Sequence, residues 1–391
     1  MAPSPHPDGA RRGIPVRAVR TNDSINAASR PPLLELYCGI GGVAAAVGEA
    51  AEVVAAFDVD RVGLGVYRAN FPHRAEARTL ESVGADELAA LAADVWTLAP
   101  PCQPYTRRGR GRDVDDPRAR SLLALLGRIA EARPPYLFLE NVPGFAGSRM
   151  HGRLRETLDA AGYRVAERLL CPSELGVPNR RRRFYLVAGG PCAEPLRTAG
   201  LPGTEPNGAP PSSSHPHPAR AARPDPPRLA RSESPLDARP DPPLTAYLDA
   251  SPDPGLAMDP DLVRRYRHAL DVVDPDDPAA VTACFTSAYG RSPVRSGSYL
   301  RLRREGTAST GARPPREPGD DEPAALRRFS PAEILRLLGF PESYRLPPDL
   351  PLANAWRLAG NSLSLPPLRA MLAAIPRLAG LAPRPDPVAG R

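Results

Sequence analysis

Leu33-Leu34-Glu35-Leu36-Tyr37-Cys38-Gly39-Ile40-Gly41-Gly42 decides how this chain folds. Leu33 to Tyr37 is a short apolar run of strand length. The glycine-rich turn follows it, and the spacing predicts an Ala-rich helix from Val43 to about Ala50. A second strand, Val53 to Phe57, ends at Asp58. Strand, glycine loop, helix, strand and acidic residue form the front half of a nucleotide-binding α/β unit. Glycines at 39, 41 and 42 let backbone approach a ligand closely, and the Asp58 carboxylate can accept hydrogen bonds from ribose hydroxyls. Alone, the pattern suits several nucleotide-type cofactors equally.

The alternation continues outward. Helices are predicted at Asp86 to Ala92, Arg118 to Ala132 and His151 to Ala161, and strands at Asp94 to Leu98, Tyr136 to Leu139 and Phe184 to Val187. Such alternation calls for an α/β fold with a mostly parallel sheet and helices on both faces. Residues 1–30 carry no apolar periodicity and read as a disordered leader. Order is expected from 31 to 190. Residues 191–255 hold 17 prolines among Ser, Arg, Asp and Gly, which reads as a disordered insert. A small lobe is expected at 256–325, with its own Pro/Arg/Asp-rich loop at 311–323. Residues 326–380 return with helices at Pro331 to Leu338 and Pro366 to Ala373.

Bulk properties set outer limits. A chain of 391 residues with a formal charge of +7 can bury a large core and is compatible with a polyanionic partner. All 51 basic residues are arginine, so codon bias accounts for the charge equally well. Arginine nonetheless suits phosphate, through its planar fork of donors. Cys38, Cys102, Cys171, Cys192 and Cys284 are scattered, without a CxxC pair. With no apolar signal core and no run near the roughly 18–20 apolar residues of a membrane helix, a soluble cytoplasmic protein with free thiols is expected. His215 and His217 lie in poor context for a metal, and none is expected. A monomer is expected.

Two strand ends carry the chemistry. Pro100-Pro101-Cys102-Gln103-Pro104-Tyr105 follows the strand 94–98, and prolines stiffen the loop that aims the thiol. Ligands of open α/β sheets lie at this carboxyl edge. A lone cysteine here is more often an inert buried residue. Leu139-Glu140-Asn141-Val142, however, brings a carboxyl to the same edge and makes Glu140 a candidate acid.

Together with Asn179-Arg180-Arg181-Arg182-Arg183, Leu338-Gly339-Phe340-Pro341 and Gly360-Asn361-Ser362, these motifs resemble the cytosine-C5 methyltransferase family, in the family's order and over about 33–190 and 326–375. The resemblance implies a Rossmann-like, S-adenosylmethionine-dependent methyltransferase with a small target-recognition lobe. Cys102 would be the nucleophile that adds to cytosine C6, and Glu140 would hydrogen-bond the N3 and 4-amino edge. Arg181 and Arg183 match the family's two spaced arginines and would hold the ring and a nearby phosphate. Tyr37, Cys38, Gly39, Ile40, Gly41, Gly42, Asp58, Val59 and Pro100 would form the S-adenosylmethionine pocket, closed by Asn361 and Ser362. Two positions depart from the pattern. Asn179 stands where many DNA enzymes have glutamine, and Ala77-Arg78-Thr79-Leu80 lacks the acidic residue the family often has after its third strand.

The family includes DNA enzymes and a branch that methylates the tRNA anticodon loop. Cys284-Phe285-Thr286, followed by Tyr289-Gly290 and Gly297-Ser298, resembles that branch's hallmark segment. Gln103, Cys284, Phe285 and Thr286 would face the substrate. The small lobe points the same way, because an unpaired loop cytosine costs less to extrude than a paired one. tRNA is therefore the expected substrate. A DNA modification enzyme is the alternative, and an inactive RNA-binding module a third reading.

Overall fold

A computed structural model of the chain describes residues 30–106, 111–206, 240–302 and 325–381. The expected leader, apart from Arg30, and the 311–323 loop lie outside the described residues.

The N-terminal half is built on seven strands: β1 (Pro32–Leu36), β2 (Glu52–Asp58), β3 (Ala75–Ala77), β4 (Val95–Leu98), β5 (Tyr136–Asn141), β6 (Arg164–Leu170) and β7 (Arg183–Gly189). Their order is β3-β2-β1-β4-β5-β7-β6. Pairing is parallel from β3 to β5, while β7 runs antiparallel to both its neighbours. The central strands read as continuous apolar runs because both of their faces are covered. In β1, Leu33 joins one core and Leu34 the other. In β5, Phe138 and Leu139 divide in the same way, as a period of two requires.

Helices α1 (Gly42–Val47) and α2 (Arg61–Asn70) cover one face, and α3 (Ala85–Ala90), α4 (Arg120–Ala132) and α5 (Arg149–Ala160) the other. Helix α4 buries Leu122, Leu125, Leu126 and Ile129, a single stripe at helical spacing. The small lobe contains α6 (Pro260–Tyr266) and a sheet of β8 (Asp271–Val273), β9 (Ser298–Arg301) and β10 (Leu326–Arg328), ordered β10-β9-β8. The chain then returns through α7 (Pro331–Leu337), α8 (Leu352–Asn361) and α9 (Leu365–Leu372). Helix α9 docks beside α1, where Arg369 Nε donates to the Ala46 carbonyl at 2.9 Å.

Several sequence boundaries need correction. A cut at 325/326 would split the lobe sheet, since β10 pairs with β9; three residues are too few to show a period. The stretch 191–255 is not uniformly coreless. Leu244 and Tyr247 are buried in a 3-10 turn, Arg197 N donates to the Ala374 carbonyl, and Thr204 bridges Leu169. Only 207–239 of it lies outside the described residues. Helix α2 escapes the sequence reading because Gly63 and Gly65 lower its helix propensity; its N-cap Asp60 accepts from Val62 N and Gly63 N. The helix expected to reach Ala50 ends at Val47, and Gly48–Ala50 tightens into a 3-10 turn.

Candidate active site

The direction of β7 gathers the site. An antiparallel strand begins where its parallel neighbours end. Glu140 pairs with Tyr185 and Asn141 with Phe184, so Arg183 and Arg181 arrive at the edge where the chain leaves β4 for Cys102. Arg183 Nε lies 3.3 Å from Glu140 Oε1, both side chains being largely buried. Asn141, which sequence reasoning had not assigned, donates from Nδ2 to the Pro100 carbonyl at 3.1 Å and ties the nucleophile loop to β5. Pro100 therefore takes part through its carbonyl. The Gln103 Oε1 beside Cys102 is buried without a partner among the described residues.

Electrostatics couple these groups. Burial pushes the Cys102 thiol up, and the Glu140 charge pushes it further; Arg183 and Arg181 pull the other way. Burial also raises Glu140, against the same two guanidiniums. The shift is toward the protonated form, the one that can donate a hydrogen bond. Burial raises Cys284 too, but Arg181 and Arg183 outweigh it, and the net effect is to lower that thiol. Its Sγ lies 3.5 Å from Arg181 Nη1 and from Arg183 Nη2.

Two expectations change here. Arg181 is committed largely to the protein's own backbone, with Nε left without a partner among the described residues. It is only 3% exposed and donates to the carbonyls of Phe285 (2.8 Å), Gly360 (3.2 Å) and Ser362, joining the β7 approach, the small lobe and the C-terminal return. The Phe285 side chain packs edge-on against Tyr289 and Phe329 in the core, so only its carbonyl acts at the site. Asn179 has a similar joining role, donating to Thr282 Oγ1 at 2.9 Å and to the Ala283 carbonyl at 3.2 Å. Gly360 must be glycine: a Cβ there would lie 2.2 Å from the Thr286 carbonyl group. Backbone thus packs on backbone where α8 meets the small lobe, and Thr286 is held at that seam.

On the cofactor side, Gly39 N donates to Asp58 Oδ2 at 2.8 Å, and Asp60 N to Oδ1 at 2.8 Å, so β2 fixes the glycine loop. Gly41 caps α1 in the left-handed region at φ 86°, against the ring of Phe71. The first of the loop residues, Tyr37, turns its hydroxyl away to Ser121 Oγ at 3.0 Å, and Cys38 is buried with its N–H on the Phe57 carbonyl. Cys38 can meet a ligand through backbone only. Ile40 is buried, and its carbonyl accepts from the Tyr344 hydroxyl at 2.5 Å. Beneath the loop, buried Glu35 accepts from Val43 N at 3.0 Å and from the Tyr67 hydroxyl at 3.2 Å; no strand pattern identifies that role. The surroundings fit a nucleoside-type ligand. Among the described residues, nothing but Gly39 and its chain neighbours lies within 4 Å of where a Gly39 Cβ would stand, and Val59, beside Asp58, is 66% exposed, leaving an apolar face for a base. Asn361 is exposed at the end of α8, whereas Ser362 is buried and serves Arg181 through its carbonyl. After β3, Arg78 pairs with Glu87 at 2.5 Å.

Fold and site together define a cytosine-C5 methyltransferase. Residues 32–192 match the family model described as C-5 cytosine-specific DNA methylase. The mouse tRNA (cytosine(38)-C(5))-methyltransferase is 31% identical over 376 residues, spanning 85% of this chain and 90% of the relative. A Dictyostelium discoideum DNA (cytosine-5)-methyltransferase is 29% identical, over 85% of this chain and 91% of its own. The crystal structure of a Spodoptera frugiperda DNMT2 mutant superposes with a TM-score of 0.65 at 26% identity, over 89% of this chain and 99% of that one. The chain belongs to the cytosine-C5 methyltransferase family, and its end-to-end likeness is to the tRNA (cytosine(38)-C(5)) branch.

Proposed function

We propose that this protein methylates C5 of an anticodon-loop cytosine in tRNA, the position its mouse relative's name gives as 38. The observation that carries the reading is the convergence of Cys102, Glu140 and Arg183 at one sheet edge, walled by Cys284 of the small lobe. S-adenosylmethionine, when bound, supplies an electrophilic methyl group. Gly39 to Gly42, Asp58 and Val59 would hold it, with Asn361 at the rim.

The chain's own residues prepare the base. The Cys102 thiolate pair forms the S–C6 bond, the C5–C6 π pair shifts so that charge develops toward N3, and C5 would then bond the cofactor's methyl carbon while the cofactor sulfur keeps the pair of the broken S–C bond. Glu140, in its protonated form, donates to N3 and takes up the charge that develops there. Arg183, fixed by Glu140 and by its own bond to the Arg182 carbonyl, supplies positive charge beside the ring and stabilises the thiolate. Loss of the C5 proton from the methylated adduct then lets Cys102 leave C6 and restores the ring.

RNA is favoured by the compact lobe, whose described part between 256 and 328 holds three short strands and one short helix. It offers little surface for separating a duplex, while an anticodon-loop cytosine is already unpaired. Incubation with methyl-labelled S-adenosylmethionine and either unmodified tRNA or duplex DNA tests this. Label in tRNA at a single cytosine is expected. Label in DNA with none in tRNA overturns the choice of substrate and leaves the reaction class standing.

A further inference from the structure

Resting on that reading, we propose that a second cavity, behind Cys284, receives the nucleotide next to the target cytosine. The cavity measures about 450 Å³ and is lined by His268, Leu270, Asp271, Cys284, Thr286 and Arg295 among others. That volume falls within the roughly 300–1,000 Å³ of small-ligand sites. Of these residues, Cys284 is the one whose side chain bonds Arg181 and Arg183 among the described residues. The Cys284 sulfur faces Arg181 and Arg183 at 3.5 Å and also lines the cavity, so a single thiol separates the two spaces. A chain entering the catalytic site with one residue passes this wall with the next.

The lining matches the three parts of a nucleotide. Arg295 is exposed and has no hydrogen bond or ion pair among the described residues; its guanidinium is free to take a phosphate. Arg267, whose Nε donates to His268 Nε2 at 2.9 Å, extends the positive rim toward Arg264 and Arg265 of α6. Leu270, Ala269 and Ala283 offer an apolar wall to a base face. Asp271 accepts from Ser298 Oγ at 2.5 Å through Oδ1, and its other oxygen can accept from a base amino or imino group. Arg295 also adopts φ 56°, a left-handed conformation that non-glycine residues hold only where the surroundings impose it, commonly at ligand clamps. A free anion would use the rim but not Asp271 or the apolar wall.

The test uses RNA stem-loops carrying one target cytosine, intact or abasic at the nucleotide on either side, with the wild-type chain and the exposed-site variant Arg295→Gln. For the wild type, one of the two abasic RNAs is expected to raise KM about tenfold with kcat nearly unchanged, the effect of one lost base contact. Arg295→Gln is expected to raise KM for intact RNA by a similar factor, to shrink the abasic penalty, and to leave S-adenosylmethionine affinity unaltered. Equal KM for all three RNAs, or an Arg295→Gln enzyme with wild-type KM and the full abasic penalty, overturns the proposal. Failure of the wild type to methylate any RNA would instead strike the functional reading on which it rests.

Discussion

Removing the Arg181 side chain should cost stability before it costs chemistry. Arg181 is 3% exposed, and its guanidinium donates to three backbone carbonyls on two other segments, Phe285 of the small lobe and Gly360 and Ser362 of the C-terminal return. Arg181→Ala leaves those acceptors buried without that donor, at about 1–3 kcal/mol each if the costs were independent. They share one cation, so the total is set by loss of a single buried charged hub, about 3–5 kcal/mol. For a domain of this size, that lowers Tm on the order of 10 °C. Thermal unfolding followed by circular dichroism measures it. Arg181→Lys keeps the charge but not the fork, and should recover only part of the loss. S-adenosylmethionine affinity should weaken in both variants, because Ser362 is released next to the expected cofactor site. An Arg181→Ala protein with unchanged Tm and intact cofactor binding, yet no methyl transfer, would refute the tie and return Arg181 to direct contact with substrate.

Other outcomes follow from the same geometry. Gly360→Ala forces a Cβ to within 2.2 Å of the Thr286 carbonyl group and should destabilise by about 1–3 kcal/mol, with a lower urea midpoint; an unchanged midpoint would show the seam to be slack. Burial and Glu140 hold the Cys102 thiol above its ordinary range, so kcat/KM should rise with pH into the alkaline region. Glu140→Gln removes the negative charge, should shift that rise to lower pH, and should cut the plateau by about 10²–10⁴-fold; a pH profile that does not move contradicts the coupling. Burial raises the Glu35 carboxyl from 4.5 to about 8. The folded state therefore holds the proton more tightly, and stability is lost as pH climbs from about 4.5 through 8, by on the order of 4 kcal/mol. Urea unfolding at pH 5 and pH 8 should show that loss in the wild type and much less of it in Glu35→Gln.

The fold was legible where strands are buried on both faces. Leu33 to Leu36, Val95 to Leu98 and Tyr136 to Leu139 are unbroken or nearly unbroken apolar runs, each leading to a loop or residue that serves the site. Cys102 and Glu140 could therefore be placed on one edge from spacing alone. Strand direction could not: Phe184 to Val187 looks the same running either way, and only pairing with β5 shows that β7 starts at the active edge. The inward turn of Arg181 was hidden for a related reason. Four consecutive arginines look alike in sequence, and their roles are decided by carbonyls more than a hundred residues away. Phe285 and Gly360 were legible as motif members, but their use by backbone carbonyl and by close approach is tertiary. The three-residue strands at Ala75 and Leu326 carry too little sequence for any period to register.

Covalent capture tests the central claim most directly. A tRNA carrying 5-fluorocytosine at the target position cannot lose a proton from C5, so an adduct that has accepted the methyl group cannot release the enzyme. Incubated with S-adenosylmethionine, the wild-type chain should form a complex stable to denaturant, and peptide mapping should place the RNA on Cys102. Cys102→Ala should form none, while Cys284→Ala should still form it. An adduct mapped to Cys284, or full methylation by Cys102→Ala, would contradict the assignment of the nucleophile.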